Sequence, residues 1–184
     1  MNNMASVKHQ AHNLELWISP IIDQGLPYLA VMKNEAWHLS PNAEDLDKFL
    51  SRKLCSGFMV LGRNIGRKGV FYVGFCTYKA IKSGFRICDL VVDLDYRRLG
   101  IGEQIIDYLF YSLKKEVFAI GKIMKPEEKE LTIIISEDNV AGQLFMKKNG
   151  FVTNKTFYKM VNERDVYHFH KKIKDHNFDY EEIQ

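Results

Sequence analysis

Residues 90–102 of the chain are Leu-Val-Val-Asp-Leu-Asp-Tyr-Arg-Arg-Leu-Gly-Ile-Gly. An apolar run ends at Asp93, a turn with two arginines follows, and two glycines open a helical apolar pattern. The first backbone N–H groups of a helix have no intrahelical partner and carry the positive end of the helix dipole. Glycine leaves room for a phosphate to approach them. The stretch therefore predicts a strand, a phosphate-binding turn and a helix, although glycines that only allow close packing would give the same pattern.

This turn differs from the two common nucleotide-binding loops. It lacks the Lys-Ser or Lys-Thr ending of a P-loop, and it has fewer glycines than the dinucleotide fingerprint. Neither of those two cofactor classes is therefore indicated by the loop alone.

Apolar periodicity predicts the remaining elements. Strands are expected at 14–19, 57–61, 70–80, 85–93, 131–136, 156–161 and 166–173, and helices at 21–35, 40–54, 101–117 and 139–148. The strand–helix–strand order around 90–136 predicts two parallel strands with a right-handed crossover. The expected fold is α+β, with one mixed and mostly antiparallel sheet and helices on both faces. We expect a flexible N-terminal arm (1–13), one domain (14–173) and a charged C-terminal tail (174–184).

Composition indicates a globular chain without a strong preference for polyanions. The 184 residues are 46% hydrophobic and 27% charged, and the net charge is +3. The basic residues are dispersed, so no nucleic-acid partner is expected. Cys55, Cys76 and Cys88 lie in apolar stretches, which is typical of buried thiols in a reducing compartment. With no leader or membrane-spanning run apparent, the predicted location is cytoplasmic, with no membrane partner.

Two motifs carry a resemblance to a known family. Arg-x-x-Gly-x-Gly at 97–102 resembles motif A of the GNAT N-acetyltransferases. Downstream, Asn139 followed by Phe-Met-Lys-Lys-Asn-Gly-Phe at 145–151 is similar to their motif B. Within the family the pattern is most similar to ribosomal-protein alanine acetyltransferases. The resemblance implies an acetyl-CoA-dependent enzyme that transfers the acetyl group to a primary amine by direct attack on the thioester.

The resemblance also implies roles for cofactor-binding residues. The backbone of Leu90, Val91 and Val92 would run beside the pantetheine arm, in the gap where this strand and the strand at 131–136 splay apart. Asn139 would hydrogen-bond that arm and Lys148 would meet the adenosine phosphates, although a helix cap and a solvated helix face explain these two residues equally well. The pyrophosphate is expected on the amides of Arg98, Leu99, Gly100, Ile101 and Gly102, with Arg97 and Arg98 adding charge.

The general acid is where the sequence departs from the family pattern. Many members carry a tyrosine on the motif B helix, and the corresponding residue here is Met146, which cannot donate a proton. Tyr158 is the first candidate substitute and Tyr108 another. An amphipathic core role explains most such tyrosines equally well.

The general base is also not at its usual positions. Where related enzymes carry glutamates, this chain has Arg86 and Ile134. Asp89 is the first candidate base, Glu35 the second and Glu137 the third. Each could instead be a structural or solvated carboxylate.

The sequence leaves several alternatives open. A non-catalytic acyl-CoA-binding or regulatory domain, and an enzyme that uses a different acyl-CoA, both fit the motifs. His168 and His170 share a strand face but lack a third ligand, so no metal site is expected. The acceptor is a small-molecule, peptide or protein amine that variable loops would select. Edge strands near the C-terminus are compatible with a homodimer.

Overall fold

The computed structural model describes residues 6–9, 14–21, 56–65, 68–120, 129–154 and 165–175. Apart from Ile21, the helices predicted at 21–35 and 40–54 lie outside these residues. The strand predicted at 156–161 also lies outside them, as do Cys55, Glu35 and Tyr158.

The described residues form eight strands and two α-helices. In chain order they are β1 (Ser6–His9), β2 (Leu14–Pro20), β3 (Ser56–Asn64), β4 (Phe71–Ile81), β5 (Gly84–Val92), α1 (Ile101–Ile120), β6 (Glu130–Ser136), α2 (Val140–Lys148), β7 (Val152–Asn154) and β8 (Val166–Lys172). Short 3-10 helices cover Leu94–Tyr96 and Ile173–Asp175. The predicted order of strands and helices is confirmed within these ranges.

The strand order is β1-β2-β3-β4-β5-β6-β8-β7. The β5–β6 pair is parallel, with α1 in the connection, as the crossover prediction requires. The pairs β1–β2, β2–β3, β3–β4, β6–β8 and β7–β8 are antiparallel. The mixed, mostly antiparallel sheet of an α+β fold is therefore confirmed.

Residue contacts divide the chain into two compact units. The first comprises Met1–Tyr78, Asp89–Ile105 and Asp179–Gln184, and the second comprises Lys79–Cys88 and Ile106–Phe178. The long strands β4 and β5 and the helix α1 contribute residues to both.

The core of the first unit forms where the start of α1 packs on the sheet. Every second side chain of β2 is buried, because successive side chains of a strand point to opposite faces. Ile101 and Ile105 of α1 are 1% and 0% exposed. They share a small pocket with Leu16, Trp17, Ile18, Val60 and Gln104. This packing fixes the first turn of α1, which follows the arginine-bearing turn.

The core of the second unit is aromatic. Phe110 of α1 and Phe151 have ring centroids 6.0 Å apart, and both are buried with Phe169 of β8. Lys171 of β8 places its Nζ 5.2 Å from the Phe110 ring centroid. Because Phe169 and Lys171 are two residues apart on one strand, they mark one face of the sheet as the face that α1 contacts.

Two elements depart from the predictions. Residues 1–13 were expected to be a flexible arm, but Ser6–His9 form a strand that pairs with β2, from Ser6 opposite Trp17 to His9 opposite Leu14. The sequence of Ser6–His9 is polar and did not predict a strand, because backbone pairing at a sheet edge requires no apolar pattern. The three-residue strand β7 is too short to show a period. The limits 14–173 and 174–184 remain predictions.

Burial of the two described cysteines follows the expectation from the sequence in part. Cys76 is fully buried and Cys88 half-buried, and neither forms a disulfide bond. Across the described ranges, neither α-helix combines the length and apolar character that crossing a membrane requires.

Candidate functional site

Asp93 makes two hydrogen bonds at the start of the turn after β5, one through its backbone and one through its side chain. Its backbone N–H donates to the carbonyl oxygen of Val73 on β4, at 2.9 Å. Its side-chain Oδ1 accepts from the N–H of Asp95, also at 2.9 Å, and caps the 3-10 helix. A short side chain that bonds the backbone two residues on favours a turn over a continued strand. Asp93 therefore ends β5 and starts the loop.

Tyr96 anchors the middle of the loop. Its ring stacks on Phe71 of β4, with centroids 5.1 Å apart and planes 18° from parallel. Burial raises the pKa of Tyr96 above its usual value of 10.0, and the nearby carboxylates of Asp93 and Asp95 raise it further. The phenol therefore stays neutral across the physiological pH range.

Arg97 joins the end of the loop to the end of the strand. Its Nε donates to the carbonyl oxygen of Val92 at 3.1 Å, while the side chain remains exposed. The preceding residue of β5 lies close to β4, because a Cβ on Gly74 of β4 would be only 2.6 Å from the carbonyl oxygen of Val91. The end of β5 is thus bonded to Arg97 at Val92 and lies tightly against β4 at Val91.

The backbone of the arginine–glycine turn presents amides at the start of α1. Arg98 and Gly100 have positive φ angles of 67° and 78°. The first helical bond runs from Gln104 N–H to the Gly100 carbonyl at 3.2 Å, so the amides of Ile101 and Gly102 precede it and have no partner within α1. Alternating left-handed residues turn successive N–H groups toward one side, which suits an anion. This arrangement fits the diphosphate of a coenzyme.

In the second unit, the parallel pairing of β5 with β6 is short. It comprises three pairs, from Gly84 opposite Glu130 to Arg86 opposite Thr132. The strand β6 continues for four residues to Ser136 while remaining paired with β8 on its other side. The ladder between the two parallel strands therefore stops at Arg86, and the expected divergence of these strands around a cofactor stays a prediction.

Asn139 is the N-cap of α2. Its Oδ1 accepts from the N–H of Gly142 at 2.9 Å. Gln143 ties the same helix start to the end of β6, because its Nε2 donates to the carbonyl oxygens of Ser136 and Glu137 at 3.1 and 3.0 Å. The capping interpretation of Asn139 is confirmed, and a bond to a cofactor stays a prediction.

The Asn-Gly-Phe ending of the second motif is a helix C-terminal cap. Gly150 has a φ of 77°, its N–H donates to Lys147, and the N–H of Phe151 donates to the carbonyl oxygen of Met146, both at 3.0 Å. These are the two bonds of a Schellman motif, and Met146 and Phe151 make its buried apolar pair. Met146 therefore has a packing role at the position where the family tyrosine was expected. Lys171 adds a bond from Nζ to the Asn149 carbonyl at 2.8 Å.

The predicted catalytic residues fall in different places. Asp89 of β5 is 5% exposed and accepts a 2.8 Å bond from the hydroxyl of Thr77 on β4. Glu35 and Tyr158 lie outside the described residues. The exposed Glu137 lies in the turn between β6 and α2, and the half-buried Tyr108 lies on α1 beside Tyr111.

Most of the predicted cofactor residues come together in the first unit. These are Leu90, Val91, Val92, Arg97, Arg98, Leu99, Gly100, Ile101 and Gly102, with Asp89 one residue before them. Asn139 and the exposed Lys148 belong to the second unit.

Several supporting residues were not predicted. Thr77, Gly74 and the Phe71–Tyr96 pair act across strands, and sequence patterns do not show which residues face each other. Gln143 had a signal, since a glutamine four residues after a cap asparagine can reach back to the preceding strand. No group of three or more His, Cys, Asp or Glu side chains in the described ranges could hold a metal ion.

Comparison with known proteins identifies the family. A sequence model described as the acetyltransferase (GNAT) domain matches residues 57–153, which is more than half of the chain. The chain belongs to the GNAT acetyltransferase family. As a GNAT enzyme it is an N-acetyltransferase that uses acetyl-CoA, as the resemblance predicted.

Solved structures with low sequence identity share the GNAT fold. The ribosomal-protein-S18-alanine N-acetyltransferase of Escherichia coli is 18% identical, with a TM-score of 0.64 over 89% of this chain and 99% of that one. Ard1 from Thermoplasma volcanium is 16% identical, with a TM-score of 0.60 over 85% and 96%. An aminoglycoside 6'-N-acetyltransferase solved with coenzyme A is 15% identical, with a TM-score of 0.62 over 85% and 96%. No curated protein matches the sequence significantly.

Proposed function

We propose that acetyl-CoA binds with its diphosphate on the amides of residues 98–102 and its pantetheine arm beside Leu90–Val92. The observation that carries this proposal is the turn backbone, with positive φ at Arg98 and Gly100 and with the Ile101 and Gly102 amides unpaired within α1. A helix N-terminus preceded by such a turn favours phosphate oxygens. When bound, acetyl-CoA supplies an acetyl group activated as a thioester.

Arg97, Arg98 and the end of β5 are proposed to have different roles in binding the cofactor. Arg97 donates to the Val92 carbonyl, so this carbonyl already has a partner and the Val92 N–H is the group proposed to face the acetyl oxygen. The exposed guanidinium of Arg98 adds charge beside the diphosphate. A fixed backbone N–H at a developing negative charge stabilises it without reorganisation. In the second unit, Asn139 and Lys148 are proposed to meet the pantetheine arm and the adenosine phosphates.

The attacking amine must be neutral, and Asp89 is the first candidate to accept its proton. The Thr77 hydroxyl holds one carboxylate oxygen of Asp89, which fixes the orientation of the group. Glu35 and Glu137 are the second and third candidates. A general base contributes roughly 10²- to 10⁴-fold to rate, so Asp89→Asn is expected to lower kcat by at least about 100-fold.

The control for Asp89 is Thr77→Val, which removes its donor and keeps the carboxylate. If Asp89 is the base, the asparagine variant loses the acidic limb of the pH–rate profile, and Thr77→Val keeps it. If Asp89 is only structural, both variants lose thermal stability and the pH profile keeps its shape. That second pattern would transfer the proposal to Glu35→Gln and Glu137→Gln in the same assay.

Tyr158 is proposed as the acid that protonates the departing thiolate, because Met146 has no proton to give and is buried in the cap of α2. Tyr158→Phe should lower kcat while leaving the Kd for acetyl-CoA unchanged. An unchanged kcat would exclude this role and would make Tyr108→Phe the next variant to measure.

The acceptor is proposed to be a primary amine of a small molecule, peptide or protein in the cytoplasm, and a homodimer is proposed for the assembly. Proteins of the same fold include, by their names, a ribosomal-protein alanine acetyltransferase and an aminoglycoside acetyltransferase. A panel of amines from both classes, with release of free CoA thiol as the readout, tests the enzyme directly. Amine-dependent CoA release supports acetyl transfer, and acetyl-CoA binding without turnover of any amine would support the non-catalytic alternative that Met146 suggests.

A further inference from the structure

A polar row crosses one face of the second unit. Arg86 of β5 pairs with Thr132 of β6, and Thr132 pairs with His170 of β8. Residues paired in register share a face, and neighbouring strands lie about 4.8 Å apart, so Arg86 and His170 flank Thr132 at about 10 Å between Cα atoms. His168 lies on the same face, two residues from His170 on β8.

This face is opposite to the one that α1 contacts. Phe169 and Lys171, the β8 residues next to His170, point to the side of Phe110. On the polar side, Ile134 of the central strand β6 is 38% exposed. Thr132 is only 1% exposed, whereas Arg86, His168 and His170 are half-buried, so solvent reaches this face beside the arginine and the two histidines.

The row has unmet hydrogen-bonding capacity. Across the residues that the structure describes, two enclosed side-chain polar atoms have no hydrogen-bond partner, Arg86 Nε and Ser136 Oγ. Both residues lie on this face, because Ser136 and Thr132 are four residues apart on β6. Thr132 is satisfied, since its hydroxyl donates to the Phe85 carbonyl at 3.2 Å. An enclosed donor of a charged group without an acceptor is energetically costly, and a partner with oxygen atoms that bonded to Arg86 would remove that cost.

The charges on this face favour an anion. Arg86 and Lys172 are cationic, and Glu130 is the one acid on this face of the described parts of β5, β6 and β8. Burial lowers the pKa of His168, and the nearby Arg86 and His170 lower it further, against an opposite effect of Glu130. A bound anion would offset the positive field of Arg86 and favour the protonated imidazole.

We infer that Arg86, His170 and His168 form a binding site for an oxyanion. Resting on the proposed function, the anion is the acidic group of the acceptor, so the acceptor class is an amine that also carries a carboxylate or a phosphate. Arginine presents planar, paired N–H donors that match both oxyanions. Because the anion favours the protonated form of the His168 imidazole, whose pKa is lowered in its absence, affinity rises as the pH falls from 8 to 6.

The binding test is a two-dimensional NMR titration of the full chain without acetyl-CoA. Glutarate and inorganic phosphate are each added up to about 50 mM at pH 6 and pH 8, and the stronger of the two identifies the group. The expected result is saturable shifts at the amides of residues 86, 132, 168 and 170, with tighter binding at pH 6 for glutarate, whose charge is the same at both pH values. Arg86→Gln should weaken binding about tenfold or more. Lys79→Gln, which removes an exposed lysine of β4 in the same unit, should leave it unchanged.

Two results would overturn the site. One is the absence of saturable shifts with either anion in the wild type, a result that does not depend on whether any variant folds. The other is an equal Kd in folded Arg86→Gln. Acetyl-CoA binding is measured separately. If the wild type does not bind acetyl-CoA, the proposed function is wrong, whereas the result of the anion titration still holds.

The acceptor class is tested with paired amines. β-Alanine is compared with β-alaninamide, and phosphoethanolamine with ethanolamine, by kcat/KM at saturating acetyl-CoA. The acid member of one pair should be preferred, and Arg86→Gln should reduce that preference about tenfold through KM. The same preference in wild type and variant would separate the anion site from acceptor selection and overturn the assignment of the acceptor class.

Discussion

The guanidinium of Arg97 donates through Nε to the carbonyl oxygen of Val92, 3.1 Å away. This bond closes residues 92–97 into a loop. The backbone bond from Asp93 to Val73 attaches the start of that loop to β4. Since α1 begins four residues after Arg97, the same bond fixes the start of the helix relative to the end of β5. Arg97 is therefore a positioning residue for the amides of the turn.

Arg97→Lys tests that role, because lysine keeps the charge and removes the Nε donor. A lost hydrogen bond of about 1 kcal/mol predicts an affinity for acetyl-CoA that is about fivefold weaker. Isothermal titration calorimetry measures it. Arg63→Lys is the matched control, since Arg63 is paired with Glu15 of β2, and it should bind like the wild type. Equal binding by both variants would show that charge alone matters at position 97.

Gly74→Ala tests the support behind Val91. The added Cβ would lie 2.6 Å from the Val91 carbonyl oxygen, so β5 must shift. Overpacking of this kind costs about 1–3 kcal/mol, and the Kd for acetyl-CoA should rise because the shifted strand is the proposed binding edge. In Gly57→Ala the new Cβ would lie 2.7 Å from the carbonyl oxygen of Cys76, where β3 pairs with β4, so stability should fall with little change in Kd. Affinity loss in both variants would contradict this explanation.

Gly150→Ala tests the cap of α2. A φ of 77° disfavours alanine, and the expected loss of stability is about 1 kcal/mol, or roughly 2–4 °C in Tm. Gly150→Asn should lose less, because asparagine adopts the left-handed conformation more readily. Differential scanning calorimetry measures both variants. A Tm equal to that of the wild type for Gly150→Ala would exclude the Schellman cap as a source of stability.

The glycines show which features of the fold could be predicted from the sequence. The Arg-x-x-Gly-x-Gly and Asn-Gly-Phe patterns predicted a strand–turn–helix and a helix end, because they report local backbone needs. The sequence could not show that Gly74 lies behind Val91, or that Thr77 bonds Asp89. Both relationships depend on the register of β4 against β5, which residue patterns do not encode.

Strand prediction shows the same limit. The run at 131–136 was predicted because β-branched residues fill a buried strand, whereas β1 was missed because its pairing with β2 does not depend on apolar side chains. The polar row of Arg86, Thr132 and His170 was also beyond the sequence, since it joins residues from three strands. Glu35 and Tyr158 remain predictions.

Tyr96 gives a prediction for alkaline pH. Its folded-state pKa is raised above 10.0 by burial and by Asp93 and Asp95. The folded state therefore holds the phenol proton more tightly than the unfolded state, so the stabilisation is complete below pH 10 and is lost as the pH rises through the folded pKa. The free energy of unfolding should fall less steeply between pH 9 and 11 in Tyr96→Phe than in the wild type. Identical slopes in urea denaturation would contradict the assignment.

The central claim is that the turn before α1 holds the cofactor, and a thermal-shift titration with acetyl-CoA tests it most directly. The proteins to compare are the wild type, Gly100→Trp, and Gly69→Trp as a control at an open position with a φ of 114°. At 100 times Kd the ligand adds about 2.7 kcal/mol, which corresponds to a shift on the order of 5–10 °C. This shift is expected in the wild type and in Gly69→Trp, and no shift is expected in a folded Gly100→Trp. An equal shift in all three proteins would contradict it.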